Sequence, residues 1–112
     1  MITGKNYIGN QLSANGNKTY NTFNPQTNSE NAAVFSEATS EEINAATQLA
    51  TEAFKTYKLV SGEKKGAFLK AIAEEIENLG DDLINVYTSE SGLPQGRAMG
   101  ERGRTLGQLT VL

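Results

Sequence analysis

From residue 39 onward the apolar positions recur at helical spacing. Thr39-Ser40-Glu41-Glu42 has the form of a capping box, in which the threonine side chain accepts from the backbone and the glutamate reaches back. Behind it Ile43, Ala46, Ala50, Ala53, Phe54 and Tyr57 predict a helix over about 40–58. Ser61 can cap a second helix, whose stripe is Phe68, Leu69, Ile72, Ile76 and Leu79. Gly80 can end it in the left-handed conformation, and Asp81 or Asp82 can begin a third helix with Leu83, Ile84, Val86 and Tyr87 on its apolar side. Gly92 closes that helix, and Pro94 falls in the first turn of a fourth, where proline is tolerated.

The first 38 residues are patterned differently. The stretches NYIGNQL and KTYNTFN carry β-branched and aromatic residues on either side of SANGNK. Asn15-Gly16 predicts the hairpin turn between them, because a type I′ turn needs positive φ. NPQTNSE is a second turn cluster, and AAVFSEA predicts a short strand around Val34 and Phe35. Residues 1–38 therefore read as a β-strand and hairpin segment and 39–112 as a helical one. An isolated ribbon of this size is not stable in water, so it must lie on something else.

The fourth helix has an unusual composition. Gly92, Gly96, Gly100, Gly103 and Gly107 punctuate a sequence otherwise rich in Arg, Leu and Gln, although each glycine inside a helix costs about 1 kcal/mol relative to alanine. With Glu101 as zero and roughly 100° per residue, the glycines fall at roughly 180° to 260°. Met99, Leu106 and Thr110 flank them, while Arg97, Arg104 and Gln108 gather around Glu101 on the opposite side. The glycines form a smooth strip that another backbone can approach closely. They do not form a phosphate loop, since the Gly-x-Gly-x-x-Gly spacing between a strand and a helix is absent.

Composition narrows the chemistry. The 112 residues suffice for one small domain or a piece of a larger one, and the chain contains neither Cys nor His. It therefore has no thiol nucleophile, no disulfide and no imidazole acid–base group. The net charge of −3 argues against a nucleic-acid partner. The N-terminus lacks the apolar run of a signal peptide and no stretch approaches a membrane span, so a cytoplasmic protein is expected. Glu74, Glu75, Glu77, Asp81 and Asp82 read as a solvated helix face. Arg97, Arg102 and Arg104 either bind an anionic partner or pair with Glu101.

The succession NYIGNQ, FNPQTNSE, SEATSEEINAATQLATEAFKTYK and LKAIAEEIENLGDDLINVYTSESGLPQGRAMGE resembles the amino-terminal region of NAD(P)-dependent aldehyde dehydrogenases. An aromatic-Ile-Gly strand, an Asn-Pro-x-Thr turn and an Ala-rich capped helix follow one another in the family's order. The stretch departs from it at Asn28-Ser29-Glu30, where the family usually has Gly-Glu, and at Tyr57, where Trp is common. Gly92-Leu93-Pro94 likewise stands for Gly-Lys-Pro. The final GERGRTLGQL is similar to the α-ketoglutaric semialdehyde (2,5-dioxovalerate) branch.

The resemblance implies an α/β parent enzyme, of which this stretch supplies a short antiparallel hairpin region followed by about four helices, residues 39–112 being a helical segment of the cofactor-binding domain. It implies NAD or NADP as cofactor, an aldehyde as substrate, the rest of the same enzyme chain as partner, and a homo-oligomer without nucleic acid or membrane. In the family a cysteine attacks the aldehyde, a glutamate is general base, and an asparagine amide with a backbone N–H holds the oxyanion. All are expected beyond Leu112, so no catalytic or cofactor-binding residue is expected here. The family's substrate-tunnel positions on this helix match Glu101 and Thr105. With Arg97, Arg104 and Gln108 of the same polar face they are the expected substrate entrance, where Arg104 or Arg97 is suited to attract or orient an acidic semialdehyde. A monovalent cation held by some members maps to a backbone oxygen at Phe23 and the side chain of Glu90. Two other readings are a self-contained helical interaction module docking a partner on the glycine strip and a small anion- or nucleic-acid-binding module using the arginines.

Overall fold

The structure is a computed structural model and describes residues 2–111. Four short strands precede four helices: β1 (Asn6–Ile8), β2 (Gln11–Ser13), β3 (Thr19–Asn24), β4 (Ser29–Ser36), α1 (Ser40–Tyr57), α2 (Gly62–Asn78), α3 (Gly80–Ser91) and α4 (Gln95–Thr110). The strands form two separate two-stranded antiparallel sheets, β1–β2 and β3–β4. Two compact units result, one of Met1–Thr22 with Glu30–Leu59 and one of Phe23–Ser29 with Val60–Leu112.

In the first unit the turn is not where Asn15-Gly16 placed it. β1 and β2 pair as Asn6 with Ser13, Tyr7 with Leu12 and Ile8 with Gln11, so the turn is Gly9-Asn10, with φ of 59° and 65°. Both residue types tolerate the left-handed region that such a turn requires. Gly16 serves a different need: a Cβ there would lie 2.9 Å from the Glu37 carbonyl oxygen. Gly4 is needed on both counts, with φ of 69° and a would-be Cβ 1.8 Å from the Val34 carbonyl oxygen. Its own carbonyl accepts the Ser36 N–H at 2.8 Å, fixing the N-terminal segment along β4. Asn21 stitches β3 to β4 by donating its amide to the carbonyls of Asn31 and Ala33.

The capping box forms as the sequence demands and does more than cap. Glu42 N–H donates to Thr39 Oγ1 at 3.1 Å, and Thr39 N–H donates to Glu42 Oε1 at 3.0 Å. The other carboxylate oxygen accepts from the Ser13 hydroxyl and from the Asn15 N–H. One carboxylate thus ties the start of α1 to the end of the β1–β2 hairpin, and it is buried at 3 % exposure. The Ser13 hydrogen bond, then the Thr39 N–H, hold its proton affinity below the usual glutamate range against the opposing effect of burial.

The second unit is built on three helices. Ser61 caps α2 by accepting from Lys64 N–H, and Gly92 closes α3 in the left-handed conformation at φ 73°. Gly80 also takes positive φ, 56°, but serves as the bend at which α2 gives way to α3. Asp81 and Asp82 do not cap; they occupy the first turn of α3, where the helix dipole favours negative charge. Pro94 is the N-cap of α4 in extended conformation, one position before the helix. The hairpin tip Phe23–Ser29 belongs to this unit. There Gln26 Nε2 donates to the Gly92 carbonyl at 2.8 Å, and the Pro25 ring lies where a Gly92 side chain would begin. Asn28 takes a positive φ of 54° at this tip, a conformation that asparagine tolerates better than most residues.

Very little of the apolar surface is covered. Among the described residues Ala73, Ile84 and Ala98 are the buried apolar ones, whereas Ile43, Leu49, Phe54 and Tyr57 of α1, Phe68 of α2 and Leu79 just after it are exposed.

Glu42 sets a pH dependence with a definite sign. Because its folded value lies below its ordinary one, the stability it contributes is complete above about pH 4.5 and is lost as pH falls through the lowered folded value. Urea unfolding followed across this range should show Glu42→Gln less stable at neutral pH and less sensitive to acid than the parent. Parallel pH profiles would count against the latch.

Candidate functional site

α4 presents two faces with the same internal spacing. Ala98, Arg102, Thr105 and Leu109 recur at i, i+4, i+7 and i+11, and so do Gly96, Gly100, Gly103 and Gly107, two residues earlier. An offset of two residues turns the sets to roughly opposite sides of the helix. α4 packs against α2 and α3, and its buried residue, Ala98, belongs to the first set. The glycine face is open: a Cβ at any of the four would meet nothing within 4 Å among the described residues. The sequence grouped Gly92 with this strip, but Gly92 lies outside α4 and caps α3.

Between α2, α3 and α4 lies a cavity of about 290 Å³, at the small end of ligand-sized sites. Ile76 of α2, Leu79 at the α2–α3 joint, Leu83, Ile84 and Tyr87 of α3 and Ala98 give it an apolar floor, and Glu101, Arg102 and Thr105 add its polar part. Of the five positions expected at a substrate entrance, Glu101 and Thr105 line this cavity, whereas Arg97, Arg104 and Gln108 are exposed residues that do not. Arg97 Nε donates to Glu101 Oε1 at 3.0 Å across one helical turn. The Thr105 hydroxyl donates to the Glu101 carbonyl at 3.1 Å, which leaves its oxygen able to accept. Arg102, named with Arg97 and Arg104 as a candidate anion contact but left out of the cluster around Glu101, is half-buried in the cavity wall. The angular layout could have found it, since Arg102 shares the Ala98 face.

Phe23 and Glu90 both belong to the second unit, and the Gln26–Gly92 hydrogen bond brings the tip carrying Phe23 to the end of α3 that carries Glu90. A carbonyl and a carboxylate are two oxygen donors, fewer than hard cations gather around themselves. No group of three or more acidic residues among the described residues could hold a metal ion, and the acidic run of α2 and α3 remains a helix surface. No helix among the described residues is long and apolar enough to cross a membrane.

The architecture and the sequence have the same relatives. Residues 12–112 match the model of the aldehyde dehydrogenase family, and the chain belongs to that family. It is 41 % identical over 112 residues to α-ketoglutaric semialdehyde dehydrogenase 2 of Azospirillum brasilense, covering 99 % of this chain and 21 % of that enzyme. With the α-ketoglutaric semialdehyde dehydrogenase of Acinetobacter baylyi it shares 39 % over 108 residues, 96 % of this chain and 20 % of the relative. The chain thus spans about a fifth of the length of these curated relatives. Among solved structures, betaine aldehyde dehydrogenase of Staphylococcus aureus in complex with NAD+ superposes with a TM-score of 0.88 at 20 % identity, over 98 % of this chain and 23 % of that one. An NAD-dependent benzaldehyde dehydrogenase of Corynebacterium glutamicum gives 0.87 at 21 % identity, over 98 % of this chain and 24 % of that one. At such identities the likeness establishes the fold.

The Arg97–Glu101 pair is solvated, with side chains 59 % and 38 % exposed. Arg97→Ala should therefore cost at most about 0.5 kcal/mol of stability, and less in high salt. Denaturant unfolding at two ionic strengths measures this, and a larger, salt-independent loss would place the pair in the packing.

Proposed function

We propose that this chain is the amino-terminal part of a longer NAD(P)-dependent dehydrogenase that oxidises an acidic semialdehyde to a carboxylic acid. The observation that carries this reading is the 41 % identity, over 99 % of the chain, to an α-ketoglutaric semialdehyde dehydrogenase. The nicotinamide cofactor would supply the hydride acceptor. The chain has no cysteine and hence no thiol for covalent attack, so it serves as scaffold and substrate entrance rather than as catalyst.

Within that enzyme residues 39–112 form a helical segment of the cofactor-binding domain, and the Glu101 and Thr105 face of α4 borders the substrate's path. Arg97, Arg104 and Gln108 lie farther along the helix surface, where guanidinium groups raise the positive potential met by an approaching anion. Phe23 and Glu90 would give two oxygens to a monovalent cation whose other ligands lie elsewhere in the enzyme. The enzyme would be a cytoplasmic homo-oligomer.

The test is turnover by the full-length protein, with NAD and NADP offered in turn and the reduced nicotinamide followed by its absorbance. We expect a higher kcat/KM for a five-carbon aldehyde bearing a terminal carboxylate than for pentanal, with the margin shrinking as salt is raised. Absence of turnover with every aldehyde and both nucleotides would refute the reading.

The open glycine face has a complementary role: it seats another segment of the same enzyme. What supports this is the expense of four glycines in one helix with no neighbour to explain them. In solvent, Gly103→Ala would stabilise α4 by about 1 kcal/mol. In the full-length enzyme we expect it to destabilise instead, because the added methyl group overpacks a close contact. A raised melting temperature would favour a solvated face or a separate interaction module.

A further inference from the structure

The three arginines of α4 are not equivalent. Arg97 spends its guanidinium on Glu101 at 3.0 Å, with most of its side chain in water. Arg104 is exposed and outside the cavity. Arg102 is half-buried in the wall of the apolar cavity between α2, α3 and α4 and has no ion-pair partner among the described residues. The acidic neighbour on that wall, Glu101, already has its cation in Arg97. The cavity therefore combines an aliphatic and aromatic floor with one unused positive charge, and Thr105 beside it offers a further polar contact.

A guanidinium in such a place is a fork for a planar anion. It forms two parallel hydrogen bonds to a carboxylate, and these strengthen as water is excluded. The floor of Ile76, Leu79, Leu83 and Ile84 suits methylene groups, and Arg102 is the positive group on the lining, beside the Thr105 and Tyr87 hydroxyls. We infer that Arg102 is the specificity-determining residue of this cavity, anchoring the carboxylate of a short linear carboxylate-bearing aldehyde whose carbon chain lies on the apolar floor. This rests on the acidic-semialdehyde reading above and adds the residue that would enforce it. Arg97 and Arg104 act on approach; Arg102 makes the contact.

The experiment uses the full-length enzyme with Arg102→Gln and Arg102→Lys, each assayed on a five-carbon aldehyde with a terminal carboxylate and on pentanal, with glutarate as a competing dicarboxylate. Loss of a charge-assisted fork should raise KM for the acidic aldehyde and the inhibition constant of glutarate roughly tenfold or more. kcat and the constants for pentanal should stay within about twofold, because an interaction made equally in the ground and transition states leaves kcat unchanged. Arg102→Lys should recover part of the loss, since it keeps the charge without the fork. Equal losses on both aldehydes, or no change on either, would overturn the assignment while the parent's preference for the acidic aldehyde stood. A parent enzyme with no such preference would instead overturn the reading on which the assignment rests. Should Arg102→Gln fail to fold, Arg102→Lys decides alone: a selective rise in KM for the acidic aldehyde supports the anchor, and an unselective rise or none refutes it.

Discussion

The second unit is held by a seam of small residues where α4 lies on α2 and α3. Ala73 and Ala98 let these helices come close, and Ile84 is the large side chain buried there. Close packing of this kind fixes the rotation of α4 about its own axis. Once Ala98 points inward, the heptad-like spacing brings Arg102 and Thr105 to the cavity and leaves the four glycines on the far side. The polarity of the cavity and the bareness of the glycine strip are two results of one rotation.

The same seam is too thin to account for a stable protein alone. Burial of apolar area stabilises at roughly 25 cal/mol per Å², and two alanines and one isoleucine offer little of it. Meanwhile the apolar stripe of α1, including Phe54 at 61 % exposure, faces outward. Contiguous apolar faces of this kind mark surfaces that associate.

How much of this was legible beforehand depended on the range of the interactions involved. The helices were written locally: Thr39 and Glu42 in the capping box, Ser61 as a cap, Gly92 as a left-handed stop. The hairpin was not. Gly9-Asn10 and Asn15-Gly16 can both adopt positive φ, and the choice between them is made by distant partners. Asn15 spends its N–H on the Glu42 carboxylate, and Gly16 lies under the Glu37 carbonyl. Burial of Glu42 itself was equally illegible, because it needs Ser13, far away in the chain. Glu101 and Thr105, expected from the family resemblance, line the cavity. The angular layout of α4 gathered Arg97, Arg104 and Gln108 and left Arg102 out of that cluster, since it was centred on Glu101 rather than on the buried Ala98.

Pro25 and Gly92 lie far apart in the sequence, yet the proline ring comes within 3.1 Å of where a side chain on residue 92 would start. The Gln26 hydrogen bond to the Gly92 carbonyl holds them there. Neither position can change freely while the other stays as it is: a bulkier residue at 92 must displace the ring, besides straining a left-handed backbone. Across divergent sequences with this tip docked in the same way, the two sites should drift as a coupled pair, and a swap at one would be tolerated only where its counterpart had already made room.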